Sequence, residues 1–382
     1  MTAIRVLISS ILLLLALGVA TADDPYPDAV TVFTREADDA YAAIRIPAIV
    51  QSKTGALLAF AEGRPLDNDH GENDILLRRS TDGGKTWDAT RVIAESGRDS
   101  LNDPCAIALH DPDRILLVYH RYPQGYHGRV MAHTKLLELG YGGPANAQSF
   151  LITSEDDGLT WSAPRELTRE LRAPDAIAVG SPGNFIQIAH GPNQGRLVLP
   201  LYENLPVGEG DRMHYLRAAI SDDLGDTWRL GERVSYAEIT GWGTEAQIAE
   251  TEGGVLVMSA RLMDGAVPAR ILCESRDGGE SWTPARLDPT LETPPCMSSI
   301  VSRFDADGKA VLFHSLPKTA EERANGQLYR STDGGATWTH DSAIYSGDFA
   351  YSALVVLNDG RIGCLYERDH YKTISYAVLD AE

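Results

Sequence analysis

The octet Ser-x-Asp-x-Gly-x-Thr-Trp occurs five times in this chain of 382 residues, with serine replacing threonine in the fourth copy. The copies open at Ser80, Ser154, Ser221, Ser275 and Ser331. They close on Trp87, Trp161, Trp228, Trp282 and Trp338, five of the 6 tryptophans. Self-similarity at a period of about 60 residues means one supersecondary unit repeated in space. The residue chemistry says which unit. Asp-x-Gly is turn chemistry, because the carboxylate accepts from backbone amides further on and glycine takes a positive φ. Thr-Trp then resumes an extended strand, and the indole offers a large area to bury. Short apolar or alternating runs flank the octets, as in ILLRRS before the first and QLYRS before the last. Each octet therefore predicts a hairpin tip within a small antiparallel sheet. Radial repetition of four-stranded sheets protects strand edges. The expected fold is all-β, a six-bladed β-propeller. Helix is expected only as a short turn within 163–174, APRELTRELRAP.

With 43% hydrophobic and 23% charged residues, the chain has globular composition, which excludes collagen-like, disordered and coiled-coil classes. The formal charge is −20. Nucleic acid and anionic membrane surfaces are therefore not expected as partners, since both demand a basic face. An anionic ligand would need a local cluster of arginines working against the global field. At the N-terminus, Arg5 precedes an apolar run from Val6 to Val19, and Ala20-Thr21-Ala22 forms a small-x-small cleavage site before Asp23. The run is shorter than the roughly 20 residues that a spanning helix needs. Residues 1–22 are thus expected to be a signal peptide and 23–382 a single propeller domain, without room for a lectin-like second domain. The expected location is secreted or periplasmic, with no membrane span after cleavage. Cys105, Cys273, Cys296 and Cys364 match no zinc spacing, and either one disulfide or buried free thiols would suit them.

Several motifs fail on inspection. GGKTW contains Gly-Lys-Thr, but a phosphate loop requires glycine where Arg79 stands. There is no HExxH, GxSxG or GxGxxG, and the acidic run from Leu66 to Asp74 lacks the ligand order of an EF-hand. No metal or cofactor is expected.

The octets resemble the Asp boxes of the sialidase superfamily, which argue fold rather than function. A second set of segments resembles the sialidase (neuraminidase) family in order along nearly the whole mature chain. It comprises Arg45-Ile46-Pro47, LLAFAEGR ending at Arg64, DHGENDILLRRS, NDPCAIAL, GSPGNFIQIAHGPNQGRLVLPLY, TEAQIAE, VLVMSAR ending at Arg261, LFHSLPKTAEERANGQLYRS and AYSALVVLNDGRIGCLYE. Sialic acid carries a carboxylate on its anomeric carbon, and guanidinium recognises carboxylate bidentately. By resemblance the carboxylate-binding triad is Arg45, Arg261 and Arg323, with Glu367 holding the first arginine. A carboxylate nucleophile would repel the substrate's own carboxylate, whereas a phenol with an adjacent base avoids that repulsion. The resemblance assigns Tyr351 as nucleophile, Glu245 as its base and Asp69 as acid/base, with Asp67 and Asp74 as competitors in the same loop. Arg64 and Asp103 resemble residues that touch the sugar's hydroxyls. Ile44 stands where the family commonly has Phe or Tyr, which keeps an apolar packing residue. The expected activity is retaining hydrolysis of terminal α-linked sialic acids from a glycan substrate. The alternatives are a glycosidase of the same superfamily acting on a related nonulosonic or ulosonic acid, and a non-catalytic sugar-binding propeller.

Overall fold

The computed structural model describes residues 25–130, 133–206 and 212–381, so the expected signal peptide lies outside the described residues. Six small antiparallel sheets form a ring, a six-bladed β-propeller. The innermost strands of blades 1, 2, 4, 5 and 6 are Ala43–Gln51, Ser100–His110, Trp242–Glu250, Ser299–Phe304 and Ser352–Val356. Blade 3 departs from the simple four-strand plan. Its inner edge is broken into Ala178–Gly180 and Ile186–Gln187, both paired with Leu197–Pro206. Between them, Gly183–Asn184 crosses over to pair in parallel with Cys105 and Ala106 of blade 2. The one α-helix among the described residues is Thr168–Leu171, a single turn inside the expected segment.

Each blade has another blade on either side, so both of its faces are covered and its strands read as nearly continuous apolar runs. Leu57–Arg64, for example, is buried at every position. Six hydrophobic clusters fill the six gaps between neighbouring blades. Ile44 contributes to the one between blades 6 and 1 and is 1% exposed, so it serves as the packing residue expected of it. All four cysteines are buried free thiols. Among the described residues no helix is long and apolar enough to cross a membrane.

Every octet lies between the third and fourth strands of its blade, and the third copy shows how it works. Ser221 Oγ donates to Asp223 Oδ1 (2.7 Å) and accepts from the Gly225 amide (2.8 Å). The Thr227 amide and hydroxyl donate to the two oxygens of Asp223 at 2.8 and 2.6 Å. Gly225 has φ 94°, and a Cβ there would sit 2.6 Å from Leu116 of blade 2, so glycine is required twice over. The closing tryptophans pack backwards: Trp87, Trp161, Trp228, Trp282 and Trp338 each join the cluster shared with the preceding blade. Blade 6 has no octet for a topological reason. Its third strand is Thr373–Leu379 and its fourth is Val30–Thr34, drawn from the other end of the chain. No hairpin joins them, so there is no tip to shape.

Candidate active site

Three inner strands carry the same irregularity at the same level of the ring. A β-bulge interrupts pairing after Arg45 in blade 1, after Asn102 in blade 2 and after Thr244 in blade 4. Each bulge holds a non-glycine residue with positive φ: Ile46 at 59°, Asp103 at 55° and Glu245 at 43°. Bulges re-aim side chains, and left-handed backbone at such residues persists only where the surroundings fix it. Here the bulged segments border a cavity of about 280 Å³ at one end of the propeller axis. In two of them proline follows, at Pro47 and Pro104, so no ladder donor is lost.

The cavity is lined by Arg45, Arg64, Asp69, Asp103, Glu245, Arg261, Arg323 and Tyr351, every site residue expected from the sequence except Glu367. Glu367 stands behind the wall, 0% exposed, and accepts four hydrogen bonds. Arg45 binds it bidentately (Nε at 3.1 Å, Nη2 at 3.0 Å), and the amides of Ile46 and Tyr351 donate at 2.8 and 3.2 Å. One carboxylate thereby fixes an arginine of blade 1 and the backbone of the tyrosine on blade 6.

Tyr351 is the point of convergence. Its hydroxyl donates to Glu245 Oε1 at 2.6 Å and accepts from Arg261 Nη1 at 3.0 Å. The guanidinium carbons of Arg45 and Arg323 lie 5.2 and 5.1 Å from its ring centre. Burial, then the Glu245 charge, pushes the phenol well up, so the proton rests on the tyrosine. Burial would raise Glu245 as well, but Arg261 and the Tyr351 hydroxyl outweigh it and hold the carboxyl below its ordinary value. A neutral phenol thus faces an ionised acceptor along a short hydrogen bond, flanked by cations that would stabilise a phenolate.

Asp69 is the loop aspartate that lines the cavity. Asp67 is exposed, and Asp74 accepts from Tyr41 at 2.9 Å instead. Asp69 Oδ1 is 2.7 Å from Arg64 Nη1 and Oδ2 is 3.7 Å from Arg129. Burial would raise its carboxyl, but Arg64 first, then His127, Arg45 and Arg129, holds it below its ordinary value. Asp103 behaves oppositely. Burial, then the Glu62 and Glu245 charges, raises it well above the carboxylate range, while Tyr202 donates to it at 3.2 Å.

Glu62 went unread in the sequence. Fully buried, it accepts from Arg64 Nε (2.8 Å) and Nη2 (2.5 Å) and from the Asp103 amide (2.6 Å). It does for Arg64 what Glu367 does for Arg45. A signal existed, since residues two apart on a strand share a face, which pairs Glu62 with Arg64 in FAEGR. Tyr202, His127 and Arg129 also line the cavity and were not singled out in the sequence, because a different blade and a loop bring them in.

The class defined by this fold and site is a β-propeller whose axial cavity gathers three arginines around a tyrosine–glutamate pair. The BNR repeat-like domain family matches residues 55–364. The chain is 32% identical over 340 residues to a sialidase of Micromonospora viridifaciens, covering 85% of this chain and 49% of that protein. It is 30% identical over 357 residues to a sialidase of Bacteroides fragilis (strain YCH46), covering 86% of this chain and 61% of that protein. Among solved structures, the Hadza microbial sialidase Hz136 aligns with a TM-score of 0.77 at 27% identity, over 92% of this chain and 68% of that one. The chain belongs to the BNR-repeat sialidase family. It spans about half the length of the first of these relatives and 61% of the second.

Proposed function

We propose that the protein is a retaining exo-α-sialidase that hydrolyses terminal α-linked sialic acids from glycoconjugates, acting outside the cytoplasm after removal of residues 1–22. The observation that carries this reading is the Tyr351 hydroxyl held 2.6 Å from Glu245 among three converging arginines. Membership of the sialidase family and the relatives named above support it. In this mechanism Arg45, Arg261 and Arg323 bind the substrate carboxylate, and Arg64 and Asp103 hold hydroxyls of the ring. Tyr351 Oη attacks the anomeric carbon as Glu245 takes its proton. The bond to the leaving oxygen breaks as Asp69 gives that oxygen a proton. In the second half, water attacks the anomeric carbon, Asp69 takes its proton, and the phenolic oxygen leaves with the proton from Glu245. Two inversions give net retention.

Release of 4-methylumbelliferone from its α-sialoside, with no release from matched neutral glycosides, is the expected first result. A 3-fluoro sialosyl fluoride should trap an adduct on the Tyr351 peptide. With a natural sialoside, Tyr351→Phe should lower kcat about 100-fold or more while inhibitor binding persists. Labelling of Glu245 or Asp69 instead, or wild-type turnover by Tyr351→Phe, would refute the tyrosyl mechanism. Absence of sialoside cleavage by the wild-type protein would refute the sialidase reading and favour a glycosidase for a related nonulosonic or ulosonic acid or a sugar-binding propeller.

A further inference from the structure

We infer that Tyr371 is a positioning residue of the carboxylate clamp, a role that rests on the sialidase reading above. Two like-charged guanidiniums, Arg45 and Arg323, must converge on one small anion, and each disfavours the other beside it. Glu367 neutralises Arg45 from behind by direct contact, whereas the side-chain hydrogen bonds of Arg323 go to neutral oxygens and the Glu245 charge favours it only through the field. Its Nη2 donates to the Pro295 carbonyl at 2.8 Å. Tyr371 touches both arginines with different parts of one side chain. Its ring centre is 4.0 Å from the Arg45 guanidinium carbon, closer than the Tyr351 ring, and its hydroxyl accepts from Arg323 Nη1 at 3.4 Å. The electron-rich face suits the first cation and the oxygen lone pair suits the second.

The backbone that delivers Tyr371 is unusual. Asp369, His370 and Tyr371 have φ of 55°, 53° and 65°, three successive non-glycine residues in the left-handed region. L-residues visit that region singly and at a cost, and such strain persists where surrounding contacts over-determine it. The contacts are present. His370 Nδ1 lies 2.9 Å from Asp348, the Lys372 carbonyl accepts from the Arg35 amide at 3.1 Å, and Tyr371 packs on the cluster of Ile46, Cys296, Met297, Ala350 and Tyr351. The stack is the main device, because 3.4 Å is long for an N–H···O hydrogen bond, and the clamp is thereby set before the anion arrives.

The test compares 2-deoxy-2,3-didehydro-N-acetylneuraminic acid with its methyl ester, which keeps the ring but loses the anion. In Tyr371→Leu, calorimetry should show affinity for the acid falling ~10-fold, KM for a sialoside rising in parallel, and ester affinity changing less than about 2-fold. Tyr371→Phe keeps the stack and should stay within about 3-fold of wild type for both ligands. Equal losses for acid and ester, or no loss in Tyr371→Leu, would overturn the role, as would a Tyr371→Phe variant as impaired as the leucine one. Failure of the wild-type protein to bind the acid at all would instead sink the sialidase reading, and this role with it.

Discussion

At Asp69 two demands conflict. A general acid must hold its proton until the leaving oxygen needs it, yet Arg64 at 2.7 Å favours the ionised form. Substrate binding resolves the conflict if its carboxylate offsets the arginine field and its bulk excludes water, both of which raise a carboxyl pKa. The sign can be checked with Arg64→Gln, which removes the strongest charge lowering Asp69 while leaving Glu62 a hydrogen-bond donor. The Asp69 pKa should rise, the protonated acid should persist to higher pH, and the alkaline limb of kcat/KM should move upward. That limb reports groups of the free enzyme. A limb that stays put or moves down would remove Asp69 from the acid role. How much of this was legible varies with the residue. Arg45, Tyr351 and Glu245 could be placed by matching short segments. The proton's resting place on Tyr351 could not, because it depends on burial and on charges from blades 1, 4 and 5.

At the scale of the element, the octets and the bulges divide the labour. The octets shape outer hairpins and seat a tryptophan on the preceding blade, far from the cavity. Trp228 is 6% exposed and packs with Phe185 at a centroid distance of 6.0 Å. Trp228→Ala should cost about 3–5 kcal/mol in urea unfolding, the usual range for deleting a buried aromatic. KM in the folded fraction should match wild type. A fully stable but inactive variant would contradict the division. The octets announce themselves because turn chemistry is local: Ser, Asp, Gly and Thr bond within seven residues of one another. The bulges are quieter. Arg-Ile-Pro and Asn-Asp-Pro hint at interrupted ladders, but a bulge is defined by the partner strand it fails to match, and the partner lies elsewhere in the sequence.

For the whole molecule the decisive contact is the closure of the ring. Val30–Thr34 completes blade 6 against Thr373–Leu379, and Phe33, fully buried, fills the gap between blades 6 and 1. Removing residues through Thr34 leaves that sheet edge unpaired, and an unpaired edge invites pairing with another chain. The shortened protein should melt well below the full chain and associate with rising concentration in light scattering. A monodisperse product melting within a few degrees of the full chain would show that the closure is dispensable.

The sequence by itself determined the blade unit, its repetition and the identity of most groups that face the cavity, because turn propensity, strand alternation and short motifs are properties of neighbours along the chain. Only the tertiary structure decided that blade 6 closes without an octet, that Glu62 and Glu367 brace two different arginines, and that Tyr371 lies against Arg45 and Arg323. Those are contacts between segments far apart in sequence, 322 residues in the case of Arg45 and Glu367. They exist because a ring brings the ends of its inner strands to one axis, whatever their separation in sequence.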